Sequence, residues 1–226
     1  MSTFAPTTLR DENFMSRALL LAARGLYTTT PNPRVGCVIV NDGHIVGEGW
    51  HVNGGAAHAE VNALEQAGTR ALGGTLYVTL EPCAHFGQTP PCVEAIVKSG
   101  ISRVVFAAKD PNPLVDGRGI EHLIANGISV VEDLFSQKSE ELYVGFFKRR
   151  KSGKPWVRVK VAAGLDGKTA LENGRSQWIT SEESRVDAHK LRAQSCVVLT
   201  GVGTVVEDDP RLTVRHIETN RQPGKV

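Results

Sequence analysis

Apolar positions along the chain switch between two periods, and the switches mark the elements. Between residues 12 and 25, Phe14, Ala18, Leu21 and Ala22 recur on one helical face, with Gly25 as a stop. The stretch TTTPNPRVG that follows reads as a loop from its Thr, Pro and Asn content. Short apolar runs at 35–40 and 45–49 flank Asn41-Asp42-Gly43, a hairpin signal. A second helix is predicted over 59–67, closed by Gly68, and a strand over 75–80. Residues 91–99 read as a third helix with Pro91 in its first turn and Gly100 at its end. A strand at 103–108, a helix at 120–126 and a strand at 128–131 complete the order α-β-β-α-β-α-β-α-β. Strands alternating with short helices predict a three-layer α/β/α sandwich around a largely parallel sheet.

Residues 148–155, KRRKSGKP, are basic, lack apolar periodicity and end in Gly and Pro, so a linker is expected there. A second unit then opens with an alternating strand pattern, WVRVKVAA, at 156–163. A helix at 182–193 and a strand at 196–200 follow. The expected division is 1–150 and 151–226. Gly201-Val202-Gly203 hints at a phosphate loop, although the full dinucleotide fingerprint is absent.

Composition narrows the class. With 41% hydrophobic and 22% charged residues, the chain has the balance of a globular protein. Twenty-six Lys+Arg against 24 Asp+Glu give a net charge of +2, which argues against a general nucleic-acid coat. No apolar run approaches the roughly 20 residues that cross a bilayer, and MSTFAPTTLRDENF has no signal-peptide core. The expectation is a cytoplasmic protein with no membrane partner. Its four cysteines are then thiols or metal ligands rather than a disulfide framework.

The sharpest chemical signal is His58-Ala59-Glu60, followed by Pro82-Cys83 and Cys92. His58 and Glu60 start one predicted helix, Cys83 follows a strand end, and Cys92 opens the next helix. Helix N-termini favour thiolates by their partial positive charge. One imidazole and two thiolates leave zinc's fourth tetrahedral position open, the mark of a catalytic site. Zinc there lowers the pKa of water. Glu60, close to a ligand without being one, is expected to carry the proton from water to a leaving amine. Taken singly, each residue is as readily a surface histidine or a buried thiol; the joint spacing argues for a site. Cys37 and Cys196 lie in apolar runs and are expected in the core.

This constellation resembles the zinc nucleobase deaminases, whose usual signature pairs H-x-E with P-C-x-x-C. Here eight residues, AHFGQTPP, separate Cys83 from Cys92. In the context TLEPCAHFGQTPPC, that spacing looks like the bifunctional deaminase/reductase family of riboflavin biosynthesis. Further matches are TPNPRVGCVIV at 30–40, GWHVNGGAAHAEVNAL at 49–64 and KDPNPLVDGRGI at 109–120. The resemblance implies a cytidine-deaminase-like domain followed by the start of a dihydrofolate-reductase-like one. It implies a zinc-dependent hydrolytic deaminase acting on a diamino-ribosylamino-pyrimidinone 5′-phosphate, with Glu60 catalytic. Asn32 and His51 would hold the base edge, Asp110 and Asn112 would close the pocket near the sugar, and His85 is a further candidate to reach the substrate. Gln88 stands where the family usually carries Lys or Arg, so phosphate would be held elsewhere or more weakly.

From Trp156 onward the chain resembles the start of the family's reductase domain, which uses NADPH to reduce the ribosyl chain. By residue match, Ala162, Trp178, Thr204 and Asp208 would contact the cofactor. Ser176, Arg192, Leu212 and Arg215 would contact the substrate, the two arginines suiting its phosphate. Gly164 stands where the family usually has Ser. The chain stops at Val226, before the family's later glycine-rich cofactor segment, so an incomplete reductase is expected. A homo-oligomer and no nucleic-acid partner are expected as well. Two competing readings share some of these features. A tRNA deaminase shares H-x-E but fits neither the long Cys–Cys spacing nor the reductase-like continuation. A non-catalytic zinc-stabilised module would want four protein ligands.

Overall fold

The computed structural model describes residues 7–87, 90–112, 115 and 117–226. Its contacts divide the chain into Met1–Trp156 and Val157–Val226.

In the first unit, α1 (Leu9–Ala23) precedes the hairpin β1 (Gly36–Asn41) and β2 (His44–Trp50). Then come α2 (Ala59–Ala67), β3 (Thr75–Leu80), α3 (Cys92–Lys98), β4 (Arg103–Ala108), α4 (Arg118–Ala125) and β5 (Ser129–Val131). Helix α1 starts earlier than its apolar face implies, because Thr8 and Asp11 form a reciprocal capping box. The hairpin turns at Asp42 and Gly43 with φ of 49° and 77°, the left-handed pair that matches strand twist.

The sheet order is β2-β1-β3-β4-β5. Strand β1 pairs antiparallel with both β2 and β3, whereas β3–β4 and β4–β5 are parallel. Strands β2, β3, β4 and β5 thus run the same way, as expected of a largely parallel sheet, and β1 runs against them because the short hairpin turn can only return the chain antiparallel. Alternation along each strand feeds two helical layers. Cys37, Ile39, Leu76, Val78, Val104 and Phe106 pack with Ala59, Ala63, Val93, Ile96 and Leu123 of α2, α3 and α4. Val38, Val40, Tyr77, Val105 and Ala107 pack with Met15, Ala18 and Leu21 of α1. Each fully buried Val, Leu, Ile, Met or Phe among them contributes roughly 1.5–3 kcal/mol of transfer free energy.

Helix α2 approaches the sheet closely because both surfaces are small. A Cβ on Gly47 would lie 2.2 Å from the Ala63 carbonyl oxygen, and one on Gly49 would lie 2.3 Å from that of Ala59. The Ala59-Ala63-Ala67 stripe sits against these glycines, which places the first residues of α2 against the sheet.

Two further helices, α5 (Ser136–Leu142) and α6 (Val144–Ser152), follow. The linker expected at 148–155 is corrected, since α6 runs through Ser152 and ends on Gly153 at φ 67°. Buried Tyr143 and Phe147 pack with Leu80 and Ala108 at the ends of β3 and β4, which anchors the basic last turn.

In the second unit, α7 (Glu182–Gln194) follows a Ser181 cap, and α8 (Val202–Asp208) follows Gly201. β6 (Val197–Val198) pairs parallel with β7 (Gly224–Lys225). The strand expected at 156–163 is corrected: no ladder forms there among the described residues, and Val157, Val159 and Val161 are exposed. Alternation is a strand signal only where a neighbour takes up the backbone hydrogen bonds. The strand expected at 196–200 shrinks to two residues, and Cys196 is exposed rather than in the core. Gly201-Val202-Gly203 opens a helix.

At the far end of the first sheet, Asp11 accepts from the Tyr77 hydroxyl at 2.6 Å and the Arg103 guanidinium at 2.7 Å. Burial opposes ionisation of Asp11, but Arg103, Tyr77 and Thr8 outweigh it and hold the carboxyl well below the usual range. A depressed carboxyl stabilises the fold above its unfolded pKa near 4 and loses that effect as pH falls through its folded value. Asp11→Asn is therefore expected to cost roughly 2 kcal/mol at pH 7, with the deficit shrinking below pH 4. Urea unfolding at a series of pH values checks this. Gly49→Val is expected to destabilise by about 1–3 kcal/mol despite valine's strand preference, because α2 must lift off the sheet. Thermal denaturation, read together with metal content, measures both consequences.

Candidate metal centre and cavity

His58 is the N-cap residue of α2 and Cys92 the first residue of α3. Cys83 lies just beyond the end of β3. The ligand atoms of these three residues all lie within 4.8 Å of one another. His58 Nδ1 is 3.0 Å from Cys92 Sγ and 3.6 Å from Cys83 Sγ. The Cys92 backbone N–H donates to Cys83 Sγ at 3.3 Å. The hydrogen bond from Cys92 draws the Cys83 thiol down to about 4, while Cys92 is pushed up by sharing that proton with Cys83. The donor set fits zinc: a nitrogen and two sulfurs in mutual reach, with a backbone amide already favouring a thiolate. A divalent cation would favour ionisation of both thiols. Among the described residues no fourth cysteine, histidine or carboxylate joins this group.

Beside the cluster is a cavity of about 310 Å³, open at the carboxyl ends of β3 and β4. Open α/β sheets hold ligands at that edge. Its wall includes His58, Glu60 and Cys83, and also Asn32, His51, His85, Asp110 and Asn112. Glu60 is 4% exposed, and burial pushes its carboxyl above the ordinary range while the His58 imidazole pulls against it. A carboxyl raised in this way holds a proton more readily than an exposed one, as a proton carrier must. His51 shares its Nδ1 proton with the Ala57 carbonyl at 3.2 Å, leaving Nε2 as an acceptor. Burial lowers the His51 pKa, favouring the neutral ring. The His85 Nδ1 is buried with no hydrogen-bond partner among the described residues. Asn32 sits on the loop held by Arg34, whose guanidinium donates to the Leu26 carbonyl, the Leu142 carbonyl and Thr30.

The opposite wall is organised by Glu81. Its carboxylate accepts the Gly117 amide at 3.0 Å and the Asp110 amide at 3.3 Å. Asp110 in turn accepts the Asn112 amide at 2.8 Å. Burial lifts the Asp110 carboxyl to about 6, with the Asn112 amide, Arg150 and His85 opposing. Glu81, Phe146 and Arg150 line this cavity without having been singled out from the sequence. Glu81 stands one residue before Pro82-Cys83, the signal that could have found it. Gln88 lies outside the described residues.

In the second unit, Arg192 donates to the Thr213 carbonyl at 3.2 Å and Arg215 to the Thr213 hydroxyl at 3.2 Å. Leu212 is the residue before Thr213, at φ 52°, so the expected substrate residues Arg192, Leu212 and Arg215 share one neighbourhood. Burial and the charge of Arg215 lower the Arg192 pKa. The Arg215 amide donates to His189 Nδ1 at 3.1 Å, a contact that sequence reading missed. Thr204 and Asp208 lie on α8. Trp178 is exposed with Arg185 4.4 Å from its ring centroid, Ser176 is exposed and Ala162 is half-buried. A shallow depression lined by Lys160, Glu183, Asp187 and Leu191, among others, contains none of these expected residues.

Residues 8–108 match the family model of the cytidine and deoxycytidylate deaminase zinc-binding region, and residues 155–226 that of the RibD C-terminal domain. The riboflavin biosynthesis protein RibD of Escherichia coli K12 is 53% identical over 214 residues, which cover 95% of this chain and 58% of that protein. RibD of Aquifex aeolicus is 51% identical over 216 residues, 96% of this chain and 61% of that one. In three dimensions, Acinetobacter baumannii RibD matches with a TM-score of 0.92 at 49% identity over 96% of this chain and 62% of its own. The deaminase/reductase of Thermotoga maritima matches with a TM-score of 0.89 at 43% identity, again over 96% and 62%. The chain thus spans about three fifths of the length of the curated relatives it matches.

One equivalent of zinc per chain is expected. Cys92→Ser is expected to lower metal content well below one equivalent and weaken the site at least tenfold. Elemental analysis after dialysis against a weak chelator makes the comparison.

Proposed function

The chain belongs to the RibD family, and on that footing we propose that its first unit hydrolyses the amino group of a diamino-ribosylamino-pyrimidinone 5′-phosphate in riboflavin biosynthesis. One observation carries the reading: a buried carboxyl, Glu60, shares a cavity with a three-donor His58-Cys83-Cys92 cluster. A structural zinc knot does not need an ionisable group buried beside it.

Zinc held by His58, Cys83 and Cys92 supplies the Lewis acidity that makes water nucleophilic near neutral pH. The protein's own residues do the rest. Glu60 takes a proton from water and returns it to the departing amine, leaving as ammonia. Asn32, with a side-chain amide that both donates and accepts, and His51, with Nε2 as acceptor, orient the pyrimidine edge. Asp110 and Asn112, fixed by the Glu81 carboxylate, face the ribosyl hydroxyls. The cavity removes the base from bulk water and sharpens each of these contacts.

For the second unit we propose a part in NADPH-dependent reduction of the ribosyl chain. Arg192, Leu212, Arg215 and Ser176 serve the substrate there, and Ala162, Trp178, Thr204 and Asp208 the cofactor. The protein is proposed to work in the cytoplasm as a homo-oligomer; no described helix is long and apolar enough to cross a membrane.

The deciding assay compares ammonia release from the pyrimidine phosphate with release from cytidine, guanine and a tRNA anticodon loop. Only the first is expected to turn over efficiently; preferential release from the RNA loop would replace this reading by the tRNA one. Glu60→Gln is expected to keep its zinc and lose 10²- to 10⁴-fold in kcat, since an amide cannot carry the proton. Full turnover in that variant would refute the mechanism.

A further inference from the structure

The cavity wall carries three buried carboxyls, Glu60, Glu81 and Asp110. Among the described residues that line it, Arg150 is the one lysine or arginine. Of the basic run Lys148-Arg149-Arg150-Lys151, only Arg150 belongs to that wall. Lys151 is directed instead to Glu140, at 3.0 Å.

The position of Arg150 is built into the fold. The Tyr143 hydroxyl donates to the Thr79 carbonyl at 2.9 Å at the start of α6, and Phe147 is buried against the ends of β3 and β4. Arg34 donates to the Leu142 carbonyl at 2.6 Å, tying the approach to α6 to the loop that carries Asn32. Phe146, one turn before Arg150, lines the same cavity, with the guanidinium 5.7 Å from its ring centroid. The side chain of Arg150 is otherwise exposed, so its charge stands at the cavity mouth rather than locked in a buried pair.

An acidic cavity repels an anionic substrate unless a cation is placed where the anion must sit. From this placement we infer that Arg150 binds the phosphate monoester of the substrate in the first unit. It thereby selects phosphorylated over dephosphorylated aminopyrimidines. A guanidinium suits the task because its planar fork donates two parallel hydrogen bonds to phosphate oxygens. The inference rests on the reading of the substrate as a phosphate ester, and it adds the residue that recognises that group.

Two measurements on the zinc-loaded chain test it. In the first, kcat/KM is determined for the 5′-phosphorylated aminopyrimidine and for its dephosphorylated counterpart, in wild type, R150A and R150K. The preference for the phosphorylated compound is expected to fall at least tenfold in R150A, through KM, and to recover in part in R150K, with zinc content unchanged. An equal loss on both compounds would mean that Arg150 acts only as a counter-ion to Asp110, and would overturn the inference. The second needs no turnover: binding of inorganic phosphate is followed by phosphorus NMR line broadening. Wild type is expected to bind at least tenfold more tightly than R150A, with R150Q repeating the loss. Equal binding in all three, or none in wild type, overturns the inference. Arg150-dependent phosphate binding in a chain that releases no ammonia from the pyrimidine phosphate would sink the deaminase reading and leave the anion site standing.

Discussion

The chemistry of the first unit depends on the convergence of two helix N-termini over the carboxyl end of one strand. Helix α2 delivers His58 and Glu60, helix α3 delivers Cys92, and the chain leaving β3 delivers Cys83. None of these backbones is free to drift. Gly47 and Gly49 admit α2 to near contact with β2, and parallel pairing of β3 with β4 fixes where α3 can cross. Donor atoms within 4.8 Å of one another follow from that packing. The three-donor cluster is therefore a product of small residues at a helix–sheet contact as much as of the donors themselves.

The same edge of the sheet carries an electrostatic cost. Glu60, Glu81 and Asp110 are buried within one cavity wall, and burial raises all three carboxyls. Glu81 recovers part of that cost through two backbone amides and, in doing so, shapes the loop that bears Asp110 and Asn112. Glu60 is held instead by its own backbone amide and the Cys92 thiol, inside the donor cluster, and a buried carboxyl placed there is suited to proton exchange. Arg150 pulls against the shift of Asp110 from outside the sheet, on a helix held by Tyr143 and Phe147. The site is thus assembled from both unlike and distant parts of the chain.

What the sequence disclosed followed the range of the interactions involved. Helix α2 and strands β3 and β4 were legible to the residue, because their period is clear and Gly68, Gly74 and Gly100 punctuate them. His58, Glu60 and Cys83 were legible as a chemical pattern, and the cavity brings Asn32, His51, Asp110 and Asn112 to the same place. Arg150 was hidden because the apolar residues of α6, Val144, Phe146 and Phe147, all lie in its first half, and the half that bears Arg150 is basic. The reversal at the hairpin was legible in Asp42-Gly43, whereas the seat of β1 between β2 and β3 depends on how α2 crosses the sheet and was not. Residues 156–163 alternate like a strand yet pair with nothing described, and Cys196 sits exposed beside a two-residue ladder. In both places local preference was present and the tertiary partner was missing from the pattern.

X-ray absorption of the zinc-loaded chain counts the donors around the metal without assuming a substrate. Two sulfurs near 2.3 Å and two lighter donors near 2.0 Å are expected, one from His58 and one from exchangeable solvent. That lighter shell should change on adding a pyrimidine analogue. A shell of four protein donors that no ligand perturbs would contradict this expectation and make the metal structural.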